Sequence, residues 1–123
     1  MNKQLLQKLF PELEDELHDE LLLHGTVKEI KAGETLLRAG QTIRSTLLIV
    51  NGFIKLYRED DEGNEFFIYN LQAGQACSLS LVCTMKHQTS EVLAKALTDA
   101  VVLSVPLEYM EKWMHTYKSW YSL

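Results

Sequence analysis

Glycine spacing restricts the fold more than any other feature of this chain. From Thr26 onward the sequence is cut at Gly33, Gly40, Asn51-Gly52, Gly63 and Gly74, and after the first short interval the cuts fall eleven or twelve residues apart. Between them lie short apolar or alternating runs: Thr35–Arg38, Thr46–Val50, Phe53–Arg58 and Glu65–Leu71. Strands of that length, separated by turns at that interval, specify an antiparallel sandwich or barrel. Asn51-Gly52 predicts a hairpin turn, because both residues tolerate positive φ. Glu59-Asp60-Asp61-Glu62-Gly63-Asn64 reads as a solvated acidic hairpin tip. Two more strands, Val92–Leu97 and Val101–Val105, join at Thr98-Asp99.

Helical periodicity flanks these strands. Leu5, Leu6, Leu9, Leu13, Leu17 and Leu21 fall near helical spacing, interrupted by Pro11, whose ring clashes with a continuing helix. The pattern predicts helices over roughly 3–9 and 11–23, with Gly25 as C-cap. Acidic residues crowd the second helix's opening turns, where the helix dipole favours them. After Pro106, Leu107, Met110, Met114, Tyr117 and Tyr121 repeat in steps of three and four, and Trp113 and Trp120 widen this apolar stripe. The stripe is still unfinished at Leu123 and is expected to leave apolar area exposed, which favours a homodimer.

Composition excludes several classes. A chain of 123 residues, 46% hydrophobic and 24% charged, is an ordinary single domain and not a disordered segment, collagen or coiled-coil rod. No apolar run exceeds four residues, as in Leu47–Val50, so no segment resembles a membrane span. The first residues open a polar helix and not a signal peptide. Cys77 and Cys83 make no disulfide scaffold, so the cytoplasm is the expected compartment. The net charge is −5, and residues 1–24 hold two lysines against Glu12, Glu14, Asp15, Glu16, Asp19 and Glu20. With no stripe of Lys and Arg, the chain by itself is not expected to grip a nucleic-acid backbone.

In this order of elements, certain segments carry a resemblance. They are Lys31–Gly40, Leu48–Tyr57 (with Asn51-Gly52 inside it), Leu71-Gln72-Ala73-Gly74-Gln75 and Ala94–Pro106. Together they resemble the cyclic-nucleotide-binding domain of the bacterial regulators that include the catabolite activator (cyclic-AMP receptor protein) and the oxygen-sensing FNR proteins. The likeness is nearest to divergent members without obvious cyclic-nucleotide chemistry. It implies a mainly β fold with flanking α: an eight-stranded antiparallel β-roll (double-stranded β-helix, or jelly roll). The domain would run 1–123, with N-terminal helices over 1–25, the roll over 26–105 and a C-terminal helix over 106–123. It implies the effector-sensing part of a transcription regulator, not an enzyme, that takes a small anionic or nucleotide effector. Such regulators continue into a dimer helix and a helix-turn-helix. Neither is in this sequence, so a truncated regulator is expected, with DNA contacted only through a C-terminal domain outside it.

The resemblance also implies a site. In the family a glycine opens a short helix whose free N–H groups face the cyclic phosphate, as helix N-termini do for anions. A glutamate holds the ribose hydroxyl, an arginine neutralises the phosphate, and a Ser or Thr adds a hydrogen bond. Here Gly74 takes the glycine position, Gln75 the glutamate position, and Ala76-Cys77-Ser78-Leu79-Ser80-Leu81 the short helix. Thr89 or Ser90 keeps the hydroxyl. No arginine occurs after Arg58; its place falls near Gln88 or Thr89, and Lys86 is the nearby cation. A partly buried phosphate without a paired cation is costly, so weak or no binding of cyclic AMP is expected. Each residue also has a plainer role: Gly74 as a turn glycine, Gln75 as a surface side chain, Thr89 and Ser90 as strand-start polar residues.

Other chemistries fit less well. Cys77 and Cys83, six apart, lack a C-x-x-C pattern and read as buried thiols. No cysteine precedes Cys77, which speaks against an FNR-type iron–sulfur cluster. His18, His24, His87 and His115 are scattered, and no His-x-His pair suits the alternative of a cupin-type metal-binding jelly roll. No cofactor is implied. Trp113 and Trp120 are expected to pack on the roll or a partner helix and not to stack a base. A further alternative is a roll that has lost its ligand and serves only dimerisation and interaction.

Overall fold

The computed structural model describes residues 1–38, 44–77 and 92–118. Helix α1 spans Lys3–Leu9, and the Asn2 side chain caps it by accepting a 2.9 Å hydrogen bond from the Leu5 N–H. Helix α2 spans Asp15–His24. It starts four residues later than the periodicity suggested, because residues 11–14 form a turn anchored on one carbonyl. The Phe10 oxygen accepts from the Leu13 N–H at 3.2 Å and from buried His18 Nε2–H at 2.8 Å. Gly25 ends α2 with φ −77° and ψ 151°, so it is extended and not a left-handed cap. Glycine is needed there for space: a Cβ would lie 2.6 Å from the Leu21 oxygen and 2.8 Å from a Leu103 methyl carbon.

Seven strands follow among the described residues: β1 Thr26–Ile30, β2 Thr35–Leu37, β3 Ser45–Asn51, β4 Phe53–Glu59, β5 Glu65–Gln72, β6 Leu93–Ala96 and β7 Ala100–Pro106. They make two antiparallel sheets, ordered β1-β7-β3 and β2-β6-β4-β5. This is the jelly-roll architecture expected from the sequence. β1 has no sequence signature, because four of its five residues are exposed at a sheet edge.

Asn51-Gly52 is not a hairpin turn. β3 lies in the first sheet and β4 in the second, so the chain crosses between layers at that corner. The second crossing at Thr98-Asp99 lies against it: the Phe53 N–H donates to Thr98 Oγ1 at 3.2 Å, and a Cβ on Gly52 would meet the Asp99 oxygen at 2.6 Å.

The first sheet is covered on both faces. Leu48, Val50, Leu103 and Val105 face α1 and α2, and Ile49, Ala100 and Val102 face the second sheet. That is why Leu47–Val50 and Val101–Val105 read as continuous apolar runs and not as alternation. Helix α3, Leu107–Thr116, adds buried Met110 and Trp113 to the helix side, and Tyr117 follows them into the same core. Trp113 therefore packs, as expected. The apolar stripe is buried by its own chain at Met110, Trp113 and Tyr117, and half-buried at Leu107 and Met114. It is thus not the exposed surface from which a homodimer was expected. Trp120 and Tyr121 lie outside the described residues.

Candidate functional site

Four of the expected site residues, Gly74, Gln75, Ala76 and Cys77, are described; Ser78, Thr89 and Ser90 lie outside the described residues, as do Lys86, His87, Gln88 and Cys83. The four form the exit from β5 back to the first sheet. Gly74, at φ +88°, turns the chain, and its N–H donates to the Ile49 oxygen at 2.9 Å. The Ile49 N–H returns a 2.9 Å bond to the Gln75 oxygen, and the Cys77 N–H donates to the Leu47 oxygen at 2.9 Å. Leu48 and Ala76 form an antiparallel bridge. After the Gly74 turn, Gln75–Cys77 therefore runs paired to β3, and Ala76 and Cys77 do not open a helix. The expected fan of free N–H groups is absent from this stretch, because the N–H groups of Gly74, Gln75 and Cys77 are already donated within the chain.

The Gln75 side chain is also engaged. Its Oε1 accepts a 2.9 Å bond from the Gln72 N–H, which closes the turn over Ala73-Gly74. Cys77 is buried in the core between the sheets with Leu37, Ile49, Ile54, Leu56 and Leu71. A Cβ on Gly74 would meet the Leu9 oxygen at 3.0 Å, so α1 presses on this turn from outside. The core cluster between the sheets is built from apolar side chains, and Ser45 and Ser104 bond each other at 3.1 Å on the same face of the first sheet. Arg38, Arg44 and Arg58 are all exposed.

Other titratable groups cluster elsewhere. Buried Tyr117 sits beside the acidic face of α2, in a shallow cleft lined by Glu16, Asp19, Glu20 and Leu23. Burial first, and then the carboxylates of Glu20, Glu16, Glu14 and Asp19, push its phenol above the ordinary tyrosine range. Its hydroxyl therefore stays protonated at neutral pH. Among the described residues no three His, Cys, Asp or Glu side chains converge as a metal site, and no helix is long and apolar enough to cross a membrane.

Sequence reasoning missed a cluster on the second sheet. Glu65 accepts from Lys55 Nζ at 2.9 Å and from Lys95 Nζ at 3.3 Å. Both ammonium groups lie over the Tyr57 ring, 4.8 Å and 5.4 Å from its centre. Alternation in Phe53-Ile54-Lys55-Leu56-Tyr57 does place Lys55 and Tyr57 on one face. The partners come from the register, Lys55 opposite Lys95, which no local pattern reveals.

Residues 27–117 match the family model of the cyclic nucleotide-binding domain. No curated protein matches the chain significantly. Among solved structures, the sensor domain of the transcriptional regulator DNR from Pseudomonas aeruginosa superposes with a TM-score of 0.78 at 20% identity, covering 92% of this chain and 76% of that one. A putative cAMP-binding regulatory protein from Silicibacter pomeroyi gives 0.76 at 21%, covering 93% of this chain and 52% of that one. The catabolite activator protein of Thermus thermophilus gives 0.72 at 22%, covering 88% and 50%. The chain therefore spans about half the length of the latter two proteins. Two antiparallel sheets, the glycine corners between them and a match over residues 27–117 make this chain a member of the cyclic nucleotide-binding domain family.

Proposed function

We infer that this domain is the effector-sensing, non-enzymatic part of a bacterial transcription regulator, and that its phosphate cassette has lost the capacity to hold cyclic AMP tightly. The observation that carries the second half is the absence of any arginine after Arg58, which leaves Lys86 as the sole Lys or Arg between β5 and β6. A lysine offers a point charge where a planar fork would grip phosphate through two hydrogen bonds. The engaged N–H groups at Gly74, Gln75 and Cys77 and the apolar space between the sheets support the same reading. Gly74, Gln75, Ala76 and Cys77 then act by fixing the wall of the effector site, and Ser78, Thr89 and Ser90 supply its polar contacts.

Signalling in such a domain needs an effector that binds one packing of α3 better than another. α3 is well placed to report, since it continues β7 directly and its Tyr109 ring stacks on His24 of α2 at 4.0 Å. A homodimer in the cytoplasm, and DNA contact through a further domain, complete the reading. Support for the dimer comes from Phe66 and Ile68, exposed on β5 at the end of the second sheet.

Titration calorimetry with cyclic AMP tests the cassette. The expected result is no saturable heat at about 100 μM nucleotide, and a Kd near 1 μM would overturn the reading. A thermal-shift screen of nucleotides and small anions then searches for the effector, because a ligand of the folded state alone raises the midpoint.

A further inference from the structure

The far end of α2 meets α3 through a titratable contact that the sensing role leaves unused. His24 is the last residue of α2, and Glu20 lies one turn before it on the same face. The His24 Nε2 stands 3.2 Å from Glu20 Oε2, and the two side chains are only 25% and 29% exposed. The face of the same imidazole stacks on the Tyr109 ring of α3, with 4.0 Å between centres and 17° between planes, and Trp113 follows Tyr109 at 5.9 Å. Glu20 Oε2 is itself buried, yet among the described residues no donor reaches it in hydrogen-bonding alignment; the imidazole nitrogen is near but off line. Tyr117, just past α3, lines a cleft with the same glutamate.

We propose that His24, Glu20 and Tyr109 form a proton-operated clasp, which holds α3 against α2 more tightly when His24 is charged. In the neutral ring, Nε2 offers the carboxylate a lone pair in one tautomer and a single off-line N–H in the other. Protonation puts an N–H on both nitrogens and a positive charge beside Glu20. A small ring rotation then gives the buried oxygen a charge-assisted donor. The imidazolium also faces the π cloud of Tyr109 and the negative end of the α2 dipole. All three contacts strengthen on charging. Burial opposes it, but only in part, since a quarter of the His24 side chain stays in contact with water.

The charged groups around the contact are mostly acids. Glu16 and Asp19 extend the acidic face of α2, and Glu29 lies on the helix side of β1, opposite Val101. β7 presents apolar Val101, Leu103 and Val105 to the helices. On α3, Lys112 shares the stripe of Tyr109 and Trp113, but it is exposed, so solvent and salt screen its repulsion. Histidine changes charge between about pH 5 and 8, so the clasp lets the helix that follows the roll answer to acidification. It works whether or not the cassette binds an effector.

Amide hydrogen exchange of the whole chain at about pH 8 and about pH 5.5, corrected for the intrinsic pH dependence of exchange, tests the clasp. Protection at Met110, Trp113 and Met114 is read against that of the β3–β7 core at each pH. In the parent this ratio should rise about threefold on acidification, the size of one helix-end and one i,i+4 charge contact. The rise should vanish in His24→Gln, which keeps a polar side chain but cannot take up a proton. It should vanish equally in Glu20→Gln, which keeps the oxygen and loses the charge. The ring resonances of His24 and Tyr109 should shift together with one midpoint in the parent. A ratio that stays flat or falls in the parent, a rise retained by either variant, or a Tyr109 ring that ignores the His24 titration would overturn the clasp.

Discussion

The two sheets of this roll are both antiparallel, yet they live in different surroundings. The first lies between the helices and the second sheet, so β3 and β7 are apolar on both sides. The second has one packed face, and its other face carries lysines, Glu65 and exposed aromatic rings. The glycine corners produce this asymmetry: each crossing sends consecutive segments to opposite layers, and only one layer receives helices from the chain's two ends. Stability should thus concentrate on the helix side, leaving the outer face of the second sheet free to change with little cost.

The largest test of that contrast pairs two aromatic truncations. Trp113 is fully buried where α3 meets the helix pair, and Trp113→Ala should cost about 3–5 kcal/mol from lost burial and the cavity left behind. Phe53→Ala, on the open face, should stay within about 0.5 kcal/mol. Urea midpoints read both. Similar losses for the two would dissolve the distinction between the sheets.

Next comes the corner itself. Gly52 sits at φ +90° with the Asp99 oxygen 2.6 Å and the Ala100 Cα 2.8 Å from where a Cβ would project. Gly52→Ala should cost about 1–3 kcal/mol, since neighbouring backbone must shift and the residue is strained as well. Gly63→Ala is the control. It shares positive φ (+83°) at the β4–β5 tip, yet nothing lies within 4 Å of its Cβ position, so it should lose less. Equal losses would show that dihedral strain alone, and not contact between the two crossings, sets the cost.

The same corners explain what the sequence could reveal. Glycines, alternating runs and apolar stripes gave away the roll, most of its strands and its flanking helices, because these signals are local. Asn51-Gly52 was misread as a hairpin because a local turn signal does not say which layer the next strand joins. The site was harder still. Gly74 and Gln75 stand where the family carries its phosphate cassette, but the Gly74 N–H and the Gln75 carbonyl pair with Ile49 of β3, a partner more than twenty residues away. The Lys55–Glu65–Lys95 group is invisible for the same reason, being assembled from three strands.

On the helix side, His18 tests a single polar contact. Its Nε2–H donates to the Phe10 carbonyl, and Asp15 Oδ1 lies 3.8 Å from its Nδ1. His18→Ala removes the donor that fastens the α1–α2 turn. It should lower stability by about 1–2 kcal/mol, read by urea unfolding, with faster amide exchange at Leu13 as the local signature. Unchanged exchange at Leu13 would mean that the turn is held by packing alone.

The smallest effect belongs to the open face and has a defined pH sign. Hydrogen bonds from Lys55 and then Lys95 hold the Glu65 carboxyl below its ordinary value of 4.5. The unfolded chain therefore takes up that proton first as pH falls. The stability Glu65 contributes is fully present above about pH 4.5, and it is lost as pH drops through the lower folded value. Asp60 acts in the same direction at the hairpin tip, where Asn64 holds its carboxyl low through side-chain and backbone donors. The comparison must therefore be made against the parent chain with Asp60 intact. Melting midpoints of Glu65→Gln should fall less steeply than those of the parent between about pH 5 and about pH 3, and added salt should narrow the gap because the group is exposed. Parallel curves would mean that the lysine bridge adds nothing to folding.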